Sequence, residues 1–178
     1  MQRNTHLWPL VLGILVGSSL WGCTSLRTIR PDGLKHVRLG QAMPGPGNLQ
    51  WKAGPYRDTL LNEGGYQWPA KILEYPNGEV WIEGDFFGAD RVNRIRVESP
   101  DLHLKGRKQL AVGTPLAELR ARHQRWQVSY LPGYARYDLI DPQQPNVHFL
   151  FAAPATVPDQ PALDDLADTA TVEAIVVM

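Results

Sequence analysis

Past the amino-terminal segment the chain carries four histidines, His36, His103, His123 and His148. Imidazole is the side chain best suited to moving protons near neutral pH or holding a transition metal. These four are scattered, with no i, i+4 pair and no cysteine alongside, so metal-ligand spacing is absent. Asp101-Leu102-His103 sets a carboxylate beside an imidazole, as a general base requires, but Pro100 just ahead reads as a turn. Glu79/Glu83 and Asp164/Asp165 are carboxylate pairs of the kind that flank a glycosidic bond. Glu79 and Glu83 fall on one strand face, where solvation explains them. There is no Gly-x-Ser-x-Gly, and Gly84-Asp85-Phe86-Phe87-Gly88 lacks the lysine and helix start of a phosphate loop. Trp51, Trp68, Trp81 and Trp126 can line a sugar or lipid groove, although tryptophans serve more often in cores and hairpins. The reading is a chain with no catalytic residues, no metal and no cofactor. Trp81, Arg94 and Arg96 are the candidate binding surface, and loss of His103 or His148 is expected to leave function intact.

Charge narrows the partners. Formal net charge is zero, so no global field favours nucleic acid. The distribution is uneven: residues 91–125 hold nine Lys/Arg against three Asp/Glu, and residues 137–178 hold seven acids and no Lys or Arg. Such a split is either a basic patch for phosphate-bearing lipids or two complementary surfaces of one fold.

The only cysteine, Cys23, stands in SSLWGCTSL. Ahead of it a short polar segment with Arg3 leads into an apolar run, Leu7 to Val16. That run matches the hydrophobic region of a signal peptide and is too short to span a bilayer as a helix. Leu20-Trp21-Gly22-Cys23 resembles the lipobox of bacterial lipoproteins, with leucine at −3, a small residue at −1 and cysteine at +1; Trp21 departs from it at −2. The resemblance implies removal of residues 1–22 and acylation of Cys23. Thr24, in place of the family's retention aspartate, implies transfer to the outer membrane, with the domain facing the periplasm. Residues 23–33 are then the lipidated cysteine and a tether. With no second cysteine to pair, the exported domain must be held by its core alone.

Residues 34–178 read as one domain. Leu34 to Leu39 is a candidate strand, and Gly40 to Gly54 is a Gly/Pro-rich loop. Lys71 to Tyr75 and Glu79 to Glu83 flank Pro76-Asn77-Gly78, which predicts a hairpin with a type I′ turn at Asn77-Gly78. That register sets Tyr75 against Val80 and Leu73 against Ile82 on one face, with Glu74 against Trp81 and Ile72 against Glu83 on the other. In Arg91 to Glu98, Ile95 and Val97 point one way and Arg94, Arg96 and Glu98 the other. Thr114 and Pro115 suit a helix start, and Leu116, Leu119, His123 and Trp126 share one helical face. His123 there suits a core histidine. Gln127 to Leu131 and Tyr134 to Ile140 form a second hairpin around Pro132-Gly133. Val147 to Phe151 is a strand with Val147, Phe149 and Phe151 aligned, Ala153 to Asp168 is a loop, and Val172 to Val177 suits a strand buried on both faces. The sum is an α+β domain, a mainly antiparallel sheet with one principal helix packed on it. Loss of Val172 to Met178 is expected to abolish folding, and loss of Thr24 to Arg30 to leave the domain intact.

VNRIRVESP, VGTPLAEL, VHFLF and DDLADTATVEAIVV together resemble the C-terminal half of the enterobacterial RpoE-regulated lipoproteins. The resemblance implies fold and compartment and supplies no active-site residues. Two functions follow. One is a non-enzymatic envelope lipoprotein, anchored to the membrane at Cys23, that contributes to envelope structure or stress response by touching another envelope protein. The other is a module binding lipid, lipopolysaccharide or glycan through the Trp81, Arg94 and Arg96 surface. A hydrolase is a distant third.

Overall fold

A computed structural model describes residues 27–45, 56–63, 65–85, 90–106, 110–122 and 125–178. The expected signal peptide, Cys23, Trp51, His123 and most of the Gly84–Gly88 stretch lie outside the described residues, as does part of the Gly40–Gly54 loop. Eleven strands and one α-helix make up the regular structure of the described residues. They are β1 (Thr28–Arg30), β2 (Gly33–Leu34), β3 (Tyr56–Glu63), β4 (Tyr66–Tyr75), β5 (Gly78–Gly84), β6 (Val92–Val97), β7 (His103–Leu104), α1 (Leu116–Arg122), β8 (Gln127–Leu131), β9 (Arg136–Ile140), β10 (Val147–Ala152) and β11 (Ala174–Val177). Eight of them form one sheet in the order β3-β4-β5-β6-β11-β10-β9-β8, antiparallel throughout. A second, three-stranded sheet runs β2-β1-β7.

The expected α+β class is therefore corrected: the described residues are mainly β, with one small helix. Two local causes account for this. The helix is only seven residues long, because the sequence beyond it, Trp126 to Tyr130, is rich in aromatic and β-branched residues that favour strands. Trp126 meets the edge of Phe149 at 5.7 Å instead of extending the helical face. The other cause is strand the sequence hides. β3 is polar and largely exposed, without clean alternation, and β4 contains Pro69, which ordinarily demotes a strand. Pro69 is tolerated because the β4–β5 ladder begins only at Ala70, and because Gly84 beside it has no side chain. A Cβ there would lie 2.8 Å from the Pro69 ring.

One face of the large sheet builds the core. Leu73, Val80, Ile82, Ile95, Val97, Phe149, Phe151, Ile175 and Val177 line it, and Ile29, Leu34 and Leu104 of the small sheet pack against them with Leu116 and Leu119 of α1. The sequence reading puts Thr28 to Arg30 in a tether. Ile29 is fully buried and pairs with both Leu34 and Leu104, so the fold begins earlier than expected. The first strand predicted at 34–39 is displaced upstream accordingly.

The β4–β5 hairpin stands where expected, with its register shifted by two. Tyr75 pairs with Gly78 and Leu73 with Val80, so Pro76-Asn77 is the turn. Proline cannot adopt the positive φ of a type I′ turn. Gly78, at φ +149°, is needed for a different reason: a Cβ would stand 2.5 Å from the Glu98 carbonyl oxygen. Because side chains alternate with period two, a two-residue slip leaves every residue on its expected face. The second hairpin stands where predicted, but its turn is longer: a 3-10 turn at Pro132–Tyr134 and Ala135 in the left-handed region at φ 50° delay the second strand from Tyr134 to Arg136. Ahead of α1 the loop is tied down from both sides. The Thr114 hydroxyl accepts from the Ala111 N–H at 3.0 Å, and the first helical N–H groups donate to the Ala170 and Asp168 carbonyls. β11 is an interior strand, buried at all four positions.

Candidate functional site

The sheet face away from the core carries the predicted surface. Trp81 pairs across β5 and β6 with Arg96, and Glu83 with Arg94, so strand alternation alone puts these four on one face. The Arg96 guanidinium stacks over the Trp81 ring at 4.4 Å. Arg57, from β3, approaches the same ring at 5.9 Å. At these separations both are cation–π contacts. Arg57 also bonds to Glu79 at 2.8 Å.

Glu83 organises the patch. It is 1% exposed, accepts from Trp68 Nε1 at 3.2 Å and takes Arg94 Nε at 3.0 Å and Nη2 at 2.5 Å. Its other oxygen stands 3.8 Å from Arg96 Nε. Burial opposes the charge on Arg94, but the Glu83 carboxylate and its bonds outweigh that and raise the guanidinium's pKa further. A carboxylate this deep survives only when paired. The sequence reading of Glu83 as a solvated strand residue is corrected, because Trp68 and Arg94 cover it.

Across β11 the patch continues onto an apolar floor of Leu131, Leu150, Ala174 and Val176. The Tyr134 side chain, from the β8–β9 turn, reaches back to hydrogen-bond Arg94, so the turn lies over the floor. Beneath it is a small cavity of about 50 Å³, bordered by Arg94, Arg96, Arg136, Asp138 and His148. Pockets for drug-sized ligands run to about 300–1,000 Å³, so this one holds little more than water or a small group. A larger recess of about 370 Å³ lies by Met43, Asp58, Pro69 and Asp90. None of the predicted surface residues borders it.

Asp138 and His148 are both buried and joined through Oδ2 and Nδ1 at 2.8 Å. A carboxylate on Nδ1 is how a general-base imidazole is oriented. The serine on this face, Ser129, does not complete a relay with this pair. Ser129 pairs with Asp138 on the strand away from His148, so aspartate, and not histidine, stands in the middle. The relay that activates a serine needs the opposite order. Among the described residues no group of three or more His, Cys, Asp or Glu is placed to hold a metal.

The other sequence candidates are dispersed. His103 is exposed on β7, and Asp101 accepts from Asn77 at 3.1 Å, in the turn expected there. Asp165 accepts from the Tyr137 hydroxyl at 3.0 Å, and Arg120 bridges Asp164 and Asp168 at 3.3 Å each. Arg136 pairs with Glu173 at 3.0 Å. At Arg120 the basic and acidic regions do meet as complementary surfaces, whereas Arg94 and Arg96 pair with acids on their own and neighbouring strands.

Tyr134, Arg136, Asp138 and His148 border the same cavity as Arg94, a grouping the sequence does not disclose. Local alternation gave their faces, but their proximity depends on β11 separating β6 from β10, which no local pattern states.

No family model matches this chain, and no curated protein matches it. Among solved structures, the chain is similar to the uncharacterized protein yfeY from Escherichia coli. It is 14% identical, with a TM-score of 0.65 over 84% of this chain and 98% of that one. The likeness establishes the fold. It assigns no activity, since the yfeY protein is itself uncharacterized. Among the described residues no helix is long and apolar enough to cross a membrane.

Proposed function

We propose that the chain is a lipid-anchored envelope protein, acylated at Cys23, facing the periplasm from the outer membrane and acting by contact instead of catalysis. The observation that carries this is the lone cysteine behind an apolar run in LWGC, five positions ahead of the first strand. One acyl chain binds a bilayer only marginally, and the multiple chains of a mature lipoprotein anchor it stably. The geometry of the outer face supports a contact role. Its arginines are held by carboxylates and by Trp81, and it offers a shallow surface. Such a surface suits a protein partner in the envelope.

The test has two arms. Intact mass of the membrane-extracted protein is expected to show residues 1–22 missing and acyl chains added at Cys23; a Met1 terminus without acyl mass overturns the reading. Photocrosslinkers at Trp81 and Arg96 in intact cells are expected to capture one discrete protein partner.

A second reading has its own observation in favour. Arg94, Arg96 and Arg136 surround the apolar floor of Leu131, Leu150 and Val176, an arrangement that suits an amphiphile with an anionic head, such as lipid or lipopolysaccharide. Titration with lipopolysaccharide, read by Trp81 fluorescence against the Arg96→Ala variant, separates it from the protein-contact reading.

A further inference from the structure

Only four residues, Thr24 to Arg27, separate Cys23 from β1. A fully extended chain advances about 3.3–3.6 Å per residue, so Thr28 stands no more than about 18 Å from the cysteine. Whatever surface surrounds β1 is then the surface nearest the bilayer.

That surface is basic on one side and apolar on the other. Ile29, Leu34 and Leu104 point into the core. By alternation Thr28, Arg30, His103 and Lys105 lie on the opposite face of the small sheet, with His103 and Lys105 exposed. The turn after β2 adds Lys35, His36 and Arg38. Residues 27–38 and 103–105 together hold five Lys/Arg and a single acid, Asp32, in a chain whose overall charge is zero. Asp32 is held by Arg38 at 2.9 Å.

We infer that the outer face of the small sheet is a docking surface for anionic phospholipid headgroups, fixing how the domain sits on the membrane. This rests on the anchoring reading. Clustered cations next to an anchor are drawn to anionic lipid within about a Debye length of the surface. The opposite end of the molecule then faces away. Tyr66, 65% exposed, is nine positions along β4 from Tyr75, roughly 30 Å at strand rise. Tyr75 marks the end nearer the small sheet, since Asn77, in the turn that follows it, donates to Asp101, two residues before β7.

The experiment uses the full acylated protein, with acyl mass at Cys23 verified first. A fluorophore is placed at His103→Cys or Tyr66→Cys, and the protein is reconstituted in vesicles of phosphatidylethanolamine with or without phosphatidylglycerol, containing a headgroup quencher. Quenching at position 103 is expected to exceed that at 66 at least threefold when phosphatidylglycerol is present. Lys105→Glu combined with Arg38→Glu, or high salt, is expected to bring the ratio down to its value on phosphatidylethanolamine alone. Equal quenching at both positions overturns the inference. So does a bias that ignores anionic lipid and charge reversal, which would mean the tether alone sets the pose. Absent acyl mass overturns the anchor itself and the inference with it.

Discussion

At the scale of single residues, Glu83 and Tyr137 make the sharpest predictions. Arg94→Ala strands a carboxylate that is 1% exposed, and removing one partner of a buried pair typically costs about 3–5 kcal/mol. We expect a loss of about 3 kcal/mol, since Arg96 remains nearby. Glu98→Ala, which removes a partly exposed partner of Arg96 at 3.5 Å, should cost under about 1 kcal/mol. Urea unfolding of both variants checks the contrast. Burial raises the Tyr137 pKa, and the Asp165 hydrogen bond and charge raise it further. A phenol that holds its proton more tightly when folded adds stability below its unfolded pKa of about 10, and that stability fades as pH climbs above it. Stability should therefore fall as pH climbs above about 10, and Tyr137→Phe should flatten part of that decline. Thermal melts across the alkaline range would show it, and an unchanged slope would count against the assignment. Of these residues the sequence made Arg94 and Arg96 legible, because alternation sets them opposite Ile95 and Val97. It concealed Glu83, whose burial depends on Trp68 from a strand that carries a proline.

At the scale of elements, turns and interior strands were legible where chemistry is local. Pro132-Gly133 and the aligned Val147, Phe149 and Phe151 fixed one hairpin and one strand. The Asn77-Gly78 dipeptide suggested a turn type that Pro76 does not permit, and the glycine serves the approach of the Glu98 backbone instead. Gly78→Ala is thus expected to destabilise by about 1–3 kcal/mol through steric conflict at a positive φ, seen as a lower urea midpoint with an unchanged slope. Asn77→Ala, which loses one exposed bond to Asp101, should shift the midpoint far less. The polar strand β3 was illegible for a physical reason. An outermost strand of the sheet need bury little on either face, so it shows no periodic signal.

At the scale of the whole molecule, β11 decides the outcome. It pairs with β6 on one side and β10 on the other. Burial of Ile175, Val176 and Val177 contributes on the order of 5–9 kcal/mol at about 1.5–3 each, comparable to a domain's net stability. Deleting Val172 to Met178 should abolish the cooperative melt. Deleting Thr24 to Arg30 should also be damaging, contrary to the sequence expectation, because Ile29 is fully buried against the core. A deletion ending at Leu26 is the informative control for scanning calorimetry. The same strand order has a consequence in time. β3 to β6 form one block of neighbours and β8 to β10 another, yet β11, which follows every other strand in sequence, is the piece that joins them. A chain emerging amino end first can assemble two half-sheets, each with a bare edge, but cannot close them until its last strand arrives. Non-local pairing of this kind is slow, and open edges invite association with other chains. Closure of the eight-stranded sheet is therefore the step that waits on β11, the last of the described strands to be made.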